Sequence, residues 1–177
     1  SSMPVKHTLA LRLPDWCDNP QVTLNGVAVS RDVRKGYLHI HHRWQEGDTI
    51  LLTLPMPVRR VYGNSLVRHQ AGQVAVQRGP LVYCLEQADN GEQLHNLQLP
   101  RDAQFSAFEG KGIFAHKTLL QAPGYKQTAE NAENQALWNY DRAPSTRQQQ
   151  TLTFIPWFSW ANRGEGEMRI WVKEADE

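Results

Sequence analysis

Apolar and polar residues alternate with a period of two in short runs along most of this chain, and Gly, Asn and Pro separate the runs. Over residues 8–13, Leu9, Leu11 and Leu13 fall on one face and Thr8, Ala10 and Arg12 on the other. Pro14 and Asp15 then end the run. Residues 22–24 lead into Asn25-Gly26, a pair that tolerates the positive φ of a type I′ hairpin turn. Residues 37–41 set Leu38 and Ile40 against His39 and His41, and Gly47-Asp48 turns the chain into a strand over 49–54. Four strands within residues 1–54 leave no space for intervening helices. That spacing predicts a sandwich or barrel, not a βαβ fold.

A second group of strands starts near Gln73. Val74 and Val76 alternate, Arg78-Gly79-Pro80 turns the chain, and residues 81–85 are apolar on both faces, as in a central strand covered on both sides. Further strands are predicted over 94–99, 151–158 and 168–172, with residues 61–72 as the connector between the groups. Residues 124–150 break the pattern. They are rich in Gln, Asn, Ala and Glu, with Leu137, Trp138 and Tyr140 as the main core-forming side chains. Either a short helix capped by Thr128 and ending near Leu137, or a long polar loop, fits this stretch.

Composition narrows the function classes. The chain has 177 residues, 40% of them apolar, and 19 basic against 18 acidic side chains give a net charge of +1. Such balance lacks the crowded basic face of a nucleic-acid binder. No apolar run approaches the roughly 20 residues that span a bilayer. The longest, over 49–57, is interrupted by Thr53, Pro55 and Pro57, and residues 1–7 carry no apolar leader core. The two cysteines, Cys17 and Cys84, read as reduced thiols in a reducing, cytoplasmic compartment.

Several phrases are specific in their order. Leu11-Arg12-Leu13-Pro14-Asp15-Trp16-Cys17 precedes Leu24-Asn25-Gly26, then Gly36-Tyr37-Leu38-His39-Ile40 and Trp44-Gln45-Glu46-Gly47-Asp48. Leu54-Pro55-Met56-Pro57-Val58-Arg59 leads to Gln73-Val74-Ala75-Val76-Gln77-Arg78-Gly79-Pro80-Leu81-Val82-Tyr83. Last comes Trp157-Phe158-Ser159-Trp160-Ala161-Asn162-Arg163-Gly164, running on to Gly166-Glu167-Met168. Together these resemble the C-terminal part of glycoside hydrolase family 127, the β-L-arabinofuranosidases. The likeness covers nearly the whole chain and is weakest over 124–150.

The resemblance implies two consecutive antiparallel β-sandwich, jelly-roll-like domains. They span residues 1–66, an incomplete middle domain, and residues 67–177. It also implies a separate (α/α)₆ barrel that holds a glutamate acid/base, a cysteine nucleophile and a zinc bound by cysteines and a glutamate. None of those motifs matches a position here, so no catalytic residue, metal ligand or cofactor is assigned to this chain. The implied partner is that catalytic barrel. Incomplete sandwiches would also leave open edges, which predicts self-association.

Candidate sites are few. His39 and His41 share a strand face, with His42 beside them, but a first-row metal needs further ligands, and a solvated face opposite Leu38 and Ile40 accounts for them. Glu165 and Glu167 are the nearest thing to a paired-carboxylate site, and turn and strand-edge charge accounts for them as well. Asp15 and Asp18 read as turn formers. Trp157, Phe158 and Trp160, with Asn162 and Arg163, form the best contact candidate, for docking onto the barrel or for stacking on a sugar. Alternation puts Phe158 and Trp160 on one face and Trp157 on the other, so one face is expected in the core. Trp138 and Tyr140 are lesser candidates. The preferred function is a non-catalytic accessory role, and the alternative is a carbohydrate-binding module for arabinose-containing glycans.

Overall fold

The structure, a computed structural model, describes residues 4–128 and 146–175. The chain divides into two compact units, Ser1–Pro57 and Val58–Glu177. No helix among the described residues is long and apolar enough to cross a membrane.

The first unit contains β1 (Val5–Arg12), β2 (Gln21–Leu24), β3 (Val27–Ala28), β4 (Val33–Arg34), β5 (Tyr37–Trp44) and β6 (Ile50–Thr53). They form two three-stranded sheets, ordered β1-β5-β4 and β3-β2-β6. The period-two pattern sets the register. Leu9 faces Ile40 and Leu11 faces Leu38 across the β1–β5 ladder, so four apolar side chains share one face. Asn25 and Gly26 have φ of 51° and 80° and close the β2–β3 hairpin. Asn25 has a second task. Its amide donates to Asp48 at 2.8 Å and its carbonyl accepts the Thr49 N–H at 2.8 Å. One residue thus ties the hairpin turn to the turn before β6.

The second unit contains β7 (Val58–Tyr62), β8 (Gln73–Arg78), β9 (Leu81–Glu86), β10 (Leu97–Pro100), β11 (Ser106–Glu109), β12 (Thr118–Thr128), β13 (Thr146–Pro156), β14 (Met168–Arg169) and β15 (Val172–Ala175). Six strands pair in the order β9-β13-β12-β10-β15-β8, and β8 pairs back onto β9. The ladder therefore closes into a six-strand ring. It is antiparallel apart from the parallel β10–β15 pair. Alternate residues fill the interior: Val74 and Val76, Tyr83 and Leu85, Leu97 and Leu99, Leu120 and Ala122, Leu152 and Phe154, with Val172. Ring closure removes free edges from those six strands and lets strands distant in sequence share one core. Gly124 marks a tight point, since a Cβ there would lie 2.5 Å from Leu152 Cδ1 and 2.8 Å from the Gln98 carbonyl.

Of residues 81–85, expected to be covered on both faces, Tyr83, Cys84 and Leu85 are fully buried, while Leu81 is half-buried and Val82 is 38% exposed. Tyr83 and Leu85 face the ring interior, and Cys84 packs outside it with Phe114, Leu119 and Ile155. Other expectations shift. The division between units falls at Pro57/Val58, ahead of Leu66, because β7 pairs with β8 along its whole length. Residues 124–128 and 146–150, the ends of the stretch that a polar loop would fit, are strand, and the helix expected between Thr128 and Leu137 lies outside the described residues. They extend β12 and β13 as a paired ribbon, from Gly124 opposite Gln150 to Thr128 opposite Thr146. Backbone pairing carries this ribbon where its polar side chains give no apolar signal. Leu137, Trp138 and Tyr140 lie outside the described residues.

The strand expected over 151–158 stops at Pro156, which has no N–H for the ladder. Trp157–Ser159 then form a 3₁₀ turn closed by the Trp160 N–H on the Trp157 carbonyl at 3.0 Å. Residues 94–96 are likewise a 3₁₀ turn, and 168–172 splits between β14 and β15.

Candidate docking surface

The segment after β13 leaves the ring carrying three large aromatics. Trp157, Phe158 and Trp160 are 50%, 59% and 40% exposed, while Ser159 between them is buried. The expectation that one aromatic face joins the core therefore fails. In a 3₁₀ turn only one position in three faces inward, and here Ser159 takes it.

Arg163 holds this segment in place. Its Nε donates to Glu86 at 2.9 Å and its Nη1 to Asp89 at 2.7 Å, and Nη2 bridges both carboxylates. The guanidinium also lies 4.7 Å from the centroid of the Phe114 ring. Glu86 ends β9 and is buried, and Asp89 follows on the short helix α1 (Gln87–Asn90). A buried carboxylate demands a partner, and the forked guanidinium supplies two aligned donors to each acid. The hydrogen bonds to Asp89 and Glu86 push the Arg163 pKa up against the cost of burial. Glu86 also accepts the Ala161 N–H at 3.3 Å, and Asn162 donates to the Ser159 carbonyl at 2.9 Å. Asn162 and Arg163 thus act inside the segment, and the three aromatics are what it presents outward.

The far end is fixed by Glu167. Its carboxylate accepts the Leu94 N–H at 2.8 Å and the Gln93 N–H at 3.1 Å, which lowers its pKa. Its own N–H donates to the Gln87 side chain at 2.9 Å. Glu167 is therefore a backbone anchor. Asn90 links α1 to β13 by donating to the Thr153 carbonyl and accepting the Thr153 N–H, each at 2.9 Å.

The remaining candidates separate. His39 and His41 share a face, but their surroundings differ. His41 Nδ1 lies 2.6 Å from Thr8 Oγ1, and His39 Nδ1 is buried without a hydrogen-bond partner. His42, on the opposite face, lies 3.2 Å from Asp48. Among the described residues no three His, Cys, Asp or Glu side chains come together as metal ligands. Asp15 sits in the turn closed by the Cys17 N–H on the Pro14 carbonyl. Both cysteines are buried and free, one in each unit, and burial pushes the Cys84 thiol up to about 12, with Glu86 and Asp89 adding to the shift.

Two groups escape the sequence patterns. One is the Glu86–Asp89 half of the clamp, whose only trace in the sequence is an acid closing an apolar strand. The other is Glu174, which accepts from Tyr62 Oη at 2.7 Å and pairs with Arg101 at 3.0 Å beside a polar cleft of about 330 Å³. Its members come from β7, β15 and the segment after β10, so only the fold unites them.

Comparison with known proteins defines the class. Residues 1–56 match the model of the β-L-arabinofuranosidase GH127 middle domain, and residues 58–173 match the glycoside hydrolase family 127 C-terminal domain. The chain belongs to glycoside hydrolase family 127. It is 37% identical over 171 residues to a non-reducing end β-L-arabinofuranosidase of Bifidobacterium longum, covering 92% of this chain and 25% of that one. The crystal structure of a GH127 β-L-arabinofuranosidase from Geobacillus stearothermophilus T6 superposes with a TM-score of 0.89 at 41% identity, covering 98% of this chain and 27% of that enzyme. A second solved structure, a GH127 β-arabinofuranosidase, gives a TM-score of 0.78 at 30% identity, covering 99% of this chain and 29% of its own. This chain thus spans about a quarter of the length of the relatives it matches.

Proposed function

We propose that this chain is the non-catalytic accessory region of a β-L-arabinofuranosidase-like glycoside hydrolase, bracing a catalytic part that lies outside it. One observation carries this reading: the carboxylates that the fold gathers are occupied by structural work. Glu86 and Asp89 neutralise Arg163, Glu167 anchors backbone N–H groups, Glu174 is held by Tyr62 and Arg101, and Asp48 serves two turns. Glycoside hydrolysis needs a carboxyl group free to protonate the leaving oxygen and a nucleophile or base, a second carboxylate or a cysteine, that faces the scissile bond, and both cysteines here are buried. The lengths agree, since relatives whose names state the activity have about three quarters of their chain elsewhere.

The same reading extends to the finer architecture. The first unit has two three-stranded sheets with Cys17, Leu38 and Ile40 as its buried apolar residues among those described, which supports reading it as part of a sandwich-like middle domain that is incomplete here. Zinc chemistry, where the parent enzyme uses it, belongs to the catalytic part. Two buried free cysteines fit a reducing, cytoplasmic compartment.

An assay tests the proposal. The purified chain, with and without added zinc, is given an aryl β-L-arabinofuranoside. No turnover above the buffer control is expected. Turnover that disappears on Glu167→Gln or Glu174→Gln overturns the accessory reading.

A further inference from the structure

Resting on that reading, we propose that the Trp157–Trp160 turn is an aromatic plug that seats in an apolar, concave surface on the remaining part of the same enzyme. The partner is thus protein, and neither a sugar nor a second copy of this chain.

Three features support the plug. The first is its cost in the isolated chain. Three large rings stand 40–59% exposed within four residues around one turn, in a unit where Tyr83, Phe114 and Phe154 are buried and the exposed Tyr62 and Phe108 lie singly on other strands. Contiguous exposed aromatics mark contact sites, and Trp is prominent among residues that dominate interfaces. The second is rigidity. Arg163 ties the segment to Glu86 and Asp89, Glu86 accepts the Ala161 N–H, and Glu167 fixes the far end. The rings are pre-positioned, so little order is lost when they are covered.

Shape decides the occupant. With 3.0 residues per turn, Trp157 and Trp160 lie on one side of the 3₁₀ turn and Phe158 lies a third of a turn away. Ser159 occupies the remaining side and is buried. Rings on two sides of a protruding turn make a knob. Stacking on a sugar needs rings that lie in one plane, whereas a knob needs a socket. Homologous enzymes supply the candidate socket, since the matched region is only 25–29% of their chains.

The test uses a chimera in which this chain replaces the matching region of the Geobacillus stearothermophilus enzyme, beside the isolated chain. Trp157→Ala, Phe158→Ala and Trp160→Ala are combined. The triple variant is expected to lower the thermal midpoint of the chimera by about 5 °C or more while leaving that of the isolated chain within about 1 °C. Trp160→Phe, which keeps a ring, should retain most of the chimera's stability. An unchanged chimera overturns the plug, as does an equal loss in the isolated chain, which would place the rings in its fold. A dimer of the isolated chain that the triple variant dissociates assigns the surface to a second copy and overturns it too. So does saturable quenching of tryptophan fluorescence by an arabinose oligosaccharide. An unsubstituted chimera that fails to fold or to hydrolyse substrate overturns the accessory reading itself, and the plug with it.

Discussion

In the first unit, β1 and β5 line up Leu9, Leu11, Leu38 and Ile40 on one face, yet only Leu38, Ile40 and Cys17 are buried apolar residues among those described there. Leu51 is 61% exposed and Val27 71%. In the second unit the same alternation buries a continuous interior from Val74 to Val172, and a second cluster around Cys84 covers the outside of β9. The patterns are equally regular. The difference is closure. The first unit keeps two sheets with open outer edges, whereas β8–β9 pairing shuts the second into a ring. Alternation gives a strand a face to bury, and it does not supply what buries it.

The strongest way to break this contrast is to truncate an apolar strand residue in each unit, a buried one in the second and an exposed one in the first. Phe154→Ala should destabilise the second unit by about 3–5 kcal/mol, because it leaves a cavity inside a closed ring. Leu51→Ala in the first unit should stay within about 0.5 kcal/mol. Urea unfolding followed by amide hydrogen exchange, read separately for the two units, measures both. Comparable losses would show that the first unit has a core of its own that the exposures miss.

Next in size is the clamp. Arg163→Ala leaves two carboxylates facing each other, with Glu86 buried, and should cost the second unit about 2–4 kcal/mol, the low side reflecting the partly exposed guanidinium. Arg163→Lys should recover only part, since one ammonium cannot bridge both acids in the same geometry. Thermal unfolding of the variants decides this, and a neutral Arg163→Ala would show that the segment is held by its backbone alone.

A smaller effect concerns acid. The Glu167 carboxyl titrates lower in the folded chain than in the unfolded one, because Leu94 and Gln93 donate to its charged form. It therefore stabilises the second unit above its unfolded pKa, and that contribution fades as pH falls through the folded value. Wild type should exceed Glu167→Gln in midpoint at neutral pH, and the gap should narrow below about pH 4. A pH-independent gap would mean that the amide loses more than charge.

Thiol labelling gives the finest comparison. Cys84 is fully buried in the closed unit with its thiol pushed up to about 12, and should stay unmodified by a thiol reagent under native conditions. Cys17 is buried too, but in the thinly covered unit, and should react first through local opening. Faster labelling at Cys84 would reverse the ranking of the units.

Much of the fold is written in the sequence. Leu38 and Ile40 against His39 and His41, Asn25-Gly26 at a hairpin, and an apolar stretch at 81–85 each follow from a period of two and the φ preferences of turn residues. The family is legible from the order of short phrases such as Trp160-Ala161-Asn162-Arg163-Gly164. Ring closure is not legible, because pairing between β8 and β9, or β10 and β15, depends on non-local hydrogen bonds. The ribbon at 124–128 and 146–150 is hidden for the same reason, its strands being named by their partners and not by their own polar side chains. Residues 157–163 show the division most clearly. Composition singled them out, and alternation then assigned one face of Trp157, Phe158 and Trp160 to the core. Only the tertiary structure turned the chain at Pro156, buried Ser159 in their place and spent Arg163 on Glu86 and Asp89. Local periodicity records which residues prefer to be covered, while the cover itself is set by contacts between segments far apart in the chain.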